Sequence, residues 1–216
     1  MNPTNIYYHK INSLYKRGDD HKLMAGEWSV PEFGYLQDCE WVWTEKIDGT
    51  NIVVEWDGAE VKFHGRTKDA VIHPLLLKEL NEFFTSEKLS QIFRDKRVLL
   101  HGEGIGFKIG KNGKRYRPDS HDFILFDVRI NGVFLEREDV CDIACGLDVA
   151  VVPVVFVGQI FVATELVKRG FISKISQDRE FMAEGLVGVP TANLLSRNRE
   201  RIIAKIRRED YVCLFD

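Results

Sequence analysis

Thr44-Glu45-Lys46-Ile47-Asp48-Gly49-Thr50-Asn51 is the stretch that decides how this chain is read. On its N-terminal side, Glu40 to Lys46 has the alternation of a strand. On its C-terminal side, Asn51 to Trp56 does the same, with the turn residues Asp48-Gly49-Thr50 between them. A lysine at a strand end, followed by a tight Asp-Gly turn, is placed to project into a cleft. A protonated lysine is a poor nucleophile, and desolvation or a nearby cation frees the amine.

Outward from this stretch the pattern stays mixed, with strands dominating. Asp57-Gly58 reads as a hairpin turn into a strand from Val61 to Gly65. His73 to Arg94 has the apolar spacing of one helix, with Pro74 suited to its first turn. Val98 to His101 and Phe123 to Ile130 read as strands, the second closing on the turn Asn131-Gly132. Glu136 to Cys145 reads as a helix stopped at Gly146, and Val149 to Val157 as a buried strand. Thr164 is placed to cap a short helix, and strands are expected at Leu186 to Val189 and Ile202 to Ile206. Hairpins with irregularly placed helices predict an α+β fold with antiparallel sheets, not a doubly wound α/β fold. No linker or internal repeat divides the 216 residues, so the expectation is a single domain over 1–216.

Composition removes several classes. Hydrophobic residues make up 44% and charged residues 29%, ordinary values for a globular chain and too apolar for disorder. The net charge of -3 excludes a globally basic nucleic-acid binder, so contacts to a polyanion must come from local clusters. The longest apolar stretch, Val149 to Ala163, is too short for a membrane span and is interrupted by Pro153, Gly158 and Gln159. Met1 to Arg17 lacks the apolar core of a signal peptide, so a cytoplasmic protein without membrane contact is expected. Cys39, Cys141, Cys145 and Cys213 form no CxxC pair and are expected as reduced, mostly buried thiols. The glycine-rich run Gly102 to Lys111 fits neither phosphate-loop pattern, and Glu103 sits where such a loop wants only backbone amides.

Further segments follow the lysine stretch in a fixed order. They are His64-Gly65-Arg66-Thr67, His101-Gly102-Glu103-Gly104, Phe123-Ile124-Leu125-Phe126-Asp127-Val128, Glu184-Gly185-Leu186-Val187 and Ala204-Lys205-Ile206-Arg207. The series resembles the collinear motifs of the covalent nucleotidyltransferases, the superfamily of ATP-dependent polynucleotide ligases and mRNA capping enzymes. Within it, Glu-Lys-Ile-Asp-Gly-Thr-Asn looks most like the RNA ligases of the phage double-strand-repairing type.

That resemblance implies a nucleotidyltransferase fold, two antiparallel sheets flanking a nucleotide cleft with helices around them. It also implies a role for each motif residue. Lys46 would attack the α-phosphorus of ATP to give lysyl-AMP and pyrophosphate. Glu45 would accept from the adenine amino group, Phe126 would stack on the purine, and Ile47 would line the nucleotide site. Asn51 would lie near the reacting phosphate and Arg66 would reach the ribose or a phosphate. Asp48, Glu103 and Glu184 would surround a divalent ion, Mg2+ or Mn2+, which neutralises charge on the phosphates. Lys205 and Arg207 alternate on one strand, face the same side, and would neutralise the triphosphate.

Two basic clusters fit a polynucleotide substrate, RNA or alternatively DNA. Lys108, Lys111, Lys114, Arg115 and Arg117 form the first, on a glycine-bearing loop expected to be mobile and to order on a phosphate backbone. Arg197, Arg199, Arg201, Lys205, Arg207 and Arg208 form the second. The chain departs from the family in three places. Arg207 stands where a lysine is usual, no basic residue follows Val187, and the sequence stops soon after the last motif. The last point leads to the expectation of an adenylation domain with no C-terminal domain, or of a separate partner that supplies one. The readings are therefore an RNA ligase, a DNA nick ligase core, or a nucleic-acid-binding module that kept the fold without the chemistry.

Overall fold

The computed structural model describes residues 6–192 and 194–212. From the N-terminus the elements are β1 (Asn12–Ser13), β2 (Tyr15–Arg17), β3 (Leu23–Trp28), α1 (Pro31–Tyr35), β4 (Trp41–Lys46), β5 (Thr50–Trp56) and β6 (Val61–His64). Next come α2 (Pro74–Phe83), α3 (Ser86–Phe93), β7 (Val98–Gly106), α4 (Gly113–Tyr116), β8 (His121–Ile130), β9 (Val133–Phe134) and α5 (Arg137–Leu147). The chain continues through β10 (Ala150–Val151), β11 (Val154–Gly158), α6 (Ile160–Arg169), β12 (Gly185–Pro190), β13 (Ala204–Arg207) and α7 (Glu209–Val212). The fold is α+β, as the sequence predicts. The chain sorts into two compact units, each described by itself.

The first unit comprises Asp48–Val152 with the segment ending at His9 and Ser176–Asp178. Its sheet runs β10-β8-β7-β5-β6, with β9 closing on β8. Apart from the parallel β10–β8 pair the ladder is antiparallel. One face carries Ile52, Val54, Leu100, Phe123, Leu125 and Val128, and the helices α2, α3 and α5 lay Leu76, Leu80, Leu89, Val140 and Leu147 into the same core. This is the period-2 strand stripe meeting the 3.6-period helix stripe.

The second unit comprises Lys10–Ile47, Pro153–Ile175 and Arg179–Asp216. Its main sheet runs β1-β13-β12-β4-β11, antiparallel except for the parallel β1–β13 pair, and β2–β3 form a separate ribbon. Strand β4 alternates strictly: Trp41, Trp43 and Glu45 are buried while Val42, Thr44 and Lys46 are half-buried on the opposite face. Trp41 and Trp43 stack on one another at 5.6 Å and pack with Phe33, Ile160, Ala163 and Ile206. The bulk of two fully buried indoles anchors the strand that ends in Lys46.

Several expectations are corrected. His73 to Arg94 is two helices, because Phe84 turns into the core and the Thr85 hydroxyl accepts the Lys88 amide as the cap of a new helix. The stretch Val149 to Val157 is not one buried strand. Pro153 has no N–H to offer a ladder, β10 and β11 join different sheets, and Val154 and Val157 are exposed. Helix α5 runs through Gly146 and ends at Asp148 in a left-handed conformation, φ 56°. Thr164 caps nothing; it lies inside α6, bonded to the Ile160 carbonyl, and Gln159 precedes the helix. Cys39, Cys141 and Cys145 are free, as expected, but exposed where burial was expected; Cys213 lies outside the described residues. The glycine-rich run begins as a strand, with Gly102, Gly104 and Gly106 in β7, and turns from Phe107 to Lys111.

Candidate functional site

In the second unit the ladder register builds a small array of charges. Lys46 of β4 lies opposite Gly185 of β12, which lies opposite Arg207 of β13. Two residues along each strand, Thr44, Val187 and Lys205 are aligned in the same way. Directly opposed residues share a face, so Lys46, Arg207 and Lys205 project from one side of the sheet. Gly185 keeps the middle of the first row empty. Its φ is +155°, and a Cβ there would stand 2.0 Å from the Ile206 carbonyl oxygen, so no other residue fits.

The Lys46 ammonium donates to a carboxylate oxygen of Glu184 at 2.6 Å, each side chain a little over one-fifth exposed. Arg207 is also engaged. Its guanidinium donates to Asp210 at 3.0 Å and pairs with Glu209 at 2.6 Å, and Asp210 in turn accepts from Arg17. Glu45 points away from Lys46, as strand alternation requires. Its carboxylate accepts from the Ser173 hydroxyl and, at 2.7 Å, from the Lys174 amide. Burial pushes the Glu45 pKa up, against these two hydrogen bonds. The Glu45 carboxylate thereby ties β4 to the 173–174 segment. Ile47 is buried.

In the first unit Asp48 follows directly. Its amide donates to the Tyr116 hydroxyl at 3.1 Å, and its carboxylate accepts from the Asn112 amide at 2.6 Å. Gly49 presses on β7: a Cβ would meet the Gly104 carbonyl oxygen at 2.3 Å and Glu103 Cγ at 2.9 Å. Asn51 lies directly opposite Glu103 in the β5–β7 ladder, and its side-chain oxygen is buried with no hydrogen-bond partner among the described residues. A buried acceptor left unpaired is costly and calls for a donor. Phe126 is half-buried on β8, where the ladder steps from His101–Asp127 to Gly102–Leu125 and leaves it as the extra residue of a bulge. Arg66 is exposed just past β6.

The 108–117 stretch is tied down more firmly than its glycines imply. Ile109 and Tyr116 are buried in the core. Arg115 pairs with Asp178 at 2.7 Å and Arg117 with Asp122 at 2.8 Å, while Ser176, Gln177 and Asp178 bond back to the Arg115 and Tyr116 carbonyls. The expectation of a mobile loop is corrected accordingly. Lys108, Lys111 and Lys114 remain exposed, and the ammoniums of Lys108 and Lys114 each lie 5.1 Å from the Phe107 ring. Sequence reasoning missed Ser173, Asn112, Tyr116 and Tyr8. No local pattern marks them, because their partners are distant in the chain.

Carboxylates are the donors that magnesium and manganese prefer, so Asp48, Glu103 and Glu184 fit such an ion chemically. Among the described residues, however, no three metal-type side chains are grouped to hold an ion directly.

A lysine at a strand end, an acidic partner and basic residues on one sheet face sit on an α+β frame similar to the nucleotidyltransferase fold of RNA ligases. The chain belongs to the RNA ligase family, whose sequence pattern matches residues 39–207. Solved structures agree on the fold. A variant of Naegleria gruberi RNA ligase with AMP and manganese is 17% identical, with 97% of this chain and 58% of that one covered and a TM-score of 0.68. Another variant, with ATP and manganese, is 18% identical, covering 86% and 54%, with a TM-score of 0.65. The same ligase with pyrophosphate is 19% identical over the same shares, at 0.65. The present chain thus spans little more than half of the length of these ligases. No curated protein matches it. Among the described residues no helix is long and apolar enough to cross a membrane.

Proposed function

We propose that this chain adenylates itself on Lys46 with ATP and uses the AMP to join RNA ends. The observation that carries the reading is the row Lys46–Gly185–Arg207, with Glu184 bonded to the lysine and Lys205 two residues along from Arg207 on the same face. In the first step neutral Lys46 Nζ attacks the α-phosphorus. An N–P bond forms, the bond from the α-phosphorus to the bridging oxygen breaks, and pyrophosphate leaves with the electron pair. Glu184 holds the lysine in place and is the nearest acceptor for its proton. Lys205 faces the same side as Lys46 and neutralises developing phosphate charge. A divalent ion, when bound, adds charge neutralisation at the non-bridging oxygens.

Phe126 offers a stacking ring to adenine, and the unpaired Asn51 oxygen offers an acceptor to the ribose or to a protonated group of the nucleotide. Asp48, held by Asn112, and Glu103, opposite Asn51, supply negative charge for the ion. Arg66 is exposed and available to a phosphate. In the second step an oxygen of an RNA 5′-phosphate takes the AMP and releases Lys46. In the third a 3′-hydroxyl attacks that 5′-phosphorus and expels AMP. RNA as substrate follows from the family, and the exposure of Lys108, Lys111 and Lys114 supports a role for them in holding its backbone. A cytoplasmic setting belongs to the same proposal and is supported by three exposed free thiols.

Intact-mass measurement after incubation with ATP and magnesium tests the reading. Wild type gains one AMP, and Lys46→Ala gains none. A folded wild type without an adduct under magnesium or manganese ends the proposal, and an adduct on another lysine ends the assignment of Lys46.

A further inference from the structure

We propose that Tyr8, which lies upstream of every motif and outside the family-matched residues 39–207, is a positioning residue for Phe126 and thereby sets the affinity for ATP. The inference rests on the reading above in which Phe126 stacks on adenine. Its starting point is the bulge. A residue in a regular ladder is aimed by its opposed neighbour, but Phe126 has none: Asp127 pairs with His101 and Leu125 with Gly102. Its ring direction must therefore come from packing.

Tyr8 supplies that packing. Its ring meets Phe126 at 5.0 Å with an interplanar angle of 79°, a T-shaped contact. Such a contact occupies at most one face of Phe126 and leaves another for a purine. Tyr8 is itself held from several sides. Its hydroxyl donates to the carboxylate of Asp127, the residue next to Phe126. Its ring also contacts His101 at 5.1 Å and Phe134 at 5.8 Å. Asp127 and His101 are both buried. A brace fixed this firmly removes rotamer freedom from Phe126 before the nucleotide arrives, so less entropy is lost on stacking. Tyr8 touches no reacting atom in this scheme, so its effect belongs in nucleotide affinity and not in the chemical step.

The test is self-adenylation by intact mass across a range of ATP concentrations, giving KM and kcat for wild type, Tyr8→Phe, Tyr8→Ala, Phe126→Ala and the double variant Tyr8→Ala/Phe126→Ala. Tyr8→Ala is expected to raise KM by about threefold to tenfold, the worth of one aromatic pair, with kcat nearly unchanged. Tyr8→Phe keeps the ring and loses only the bond to Asp127, so its KM falls between the two. The double variant is expected to match Phe126→Ala alone, because a brace has nothing to hold once its ring is gone. An unchanged KM in Tyr8→Ala, a loss confined to kcat, or additive losses in the double variant would overturn the inference. If Phe126→Ala leaves KM unchanged, the stacking assignment fails and the inference with it. If Phe126→Ala weakens ATP and Tyr8→Ala does not, only the inference fails. Should Tyr8→Ala not fold, Tyr8→Leu retains bulk without a flat ring and decides by the same criteria.

Discussion

The two compact units carry their candidate residues in opposite conditions. Around Lys46 the charges are already in bonds of their own: Lys46 with Glu184, Glu45 with Ser173 and Lys174, Arg207 with Asp210 and Glu209. Around β7 and β8 the polar groups are under-used. The Asn51 oxygen and both His101 ring nitrogens are buried without a hydrogen-bond partner among the described residues. The first arrangement fixes geometry at the expense of reactivity, since an ion-paired lysine must lose a proton before it can attack. The second leaves capacity for something to bind.

The largest effect is expected at the lysine pair. Glu184→Gln keeps a hydrogen-bond acceptor but loses the negative charge that orients Lys46 and draws its proton. The adenylation rate at saturating ATP should fall by about a hundredfold or more, with a smaller change in KM. Single-turnover mass spectrometry reads both. A rate within a few fold of wild type would show that the pair is a resting-state contact only.

Next in size is a pH effect. His101 is fully buried, and burial drags its pKa down to about 3. The unfolded histidine titrates near ~6.5, so between that value and about 3 the unfolded chain binds a proton that the folded chain refuses. Stability is then present above the unfolded value and is lost on acidification, by roughly 1.4 kcal/mol per pH unit inside the window. Glu45 has the opposite sign. Its pKa is raised by burial, so acidification relieves a cost there. Urea unfolding at a series of pH values should show His101→Phe flattening the acid slope relative to wild type. An identical slope in both proteins would remove His101 as the acid-sensitive group.

How far the sequence carries depends on which partner a residue needs. Lys205 and Arg207 sit on one strand, and their shared face follows from period 2, whereas Lys46 joins that face only through the β4–β12–β13 register, which no local pattern states. Glu103 within the glycine-rich run separates it from a phosphate loop, but the extension of the Val98 strand through Gly106 carries no local mark. Glu45 shows the limit. The same alternation that exposes Lys46 turns Glu45 inward, but its partner Ser173 is 128 residues away, and nothing near Glu45 announces it. The split of His73 to Arg94 was hidden for a similar reason: Thr85 works as a cap only because Phe84 is pulled into the core formed with distant strands. Val149 to Val157 misled because an apolar run does not state which sheet it joins; Pro153 was the available signal.

A third prediction compares bound and unbound cations on the basic stretch. Arg115 is committed to Asp178, whereas Lys111 and Lys114 are exposed. Lys111→Gln with Lys114→Gln should leave Lys46 adenylation intact and reduce sealing of pre-adenylated RNA by about tenfold at low salt, from the loss of two phosphate contacts. The deficit should shrink as salt rises, since counterions already weaken wild type. Adding Arg115→Gln should lower stability more than it lowers sealing, because it breaks a contact inside the unit. Unchanged sealing at low salt would move the RNA site elsewhere, with Arg197 to Arg208 the next candidate.

The smallest effect separates two cations that share one face. Lys205 and Arg207 are both expected to neutralise the triphosphate, yet Arg207 has its guanidinium on Asp210 and Glu209, and Asp210 is further tied to Arg17. An arginine fork matched to two carboxylates is well suited to hold α7 against β13, and lysine cannot copy that geometry. Arg207→Lys retains the charge and loses the fork. If Arg207 mainly serves α7, the variant should bind ATP within about twofold of wild type and lose on the order of 1 kcal/mol of stability, since Arg207 is partly exposed and Asp210 nearly buried. Lys205→Ala should weaken ATP binding or adenylation by about tenfold, as loss of a charge-assisted phosphate contact does. Measuring ATP dependence and thermal melting on both variants decides the matter. Equal losses of adenylation in Arg207→Lys and Lys205→Ala would mean that Arg207 leaves Asp210 for the phosphate during the reaction. The pairing seen around it would then be a latch that the nucleotide opens, and the contrast between paired and under-used charges would become one of timing, with Arg207 of β13 released only when substrate competes for it.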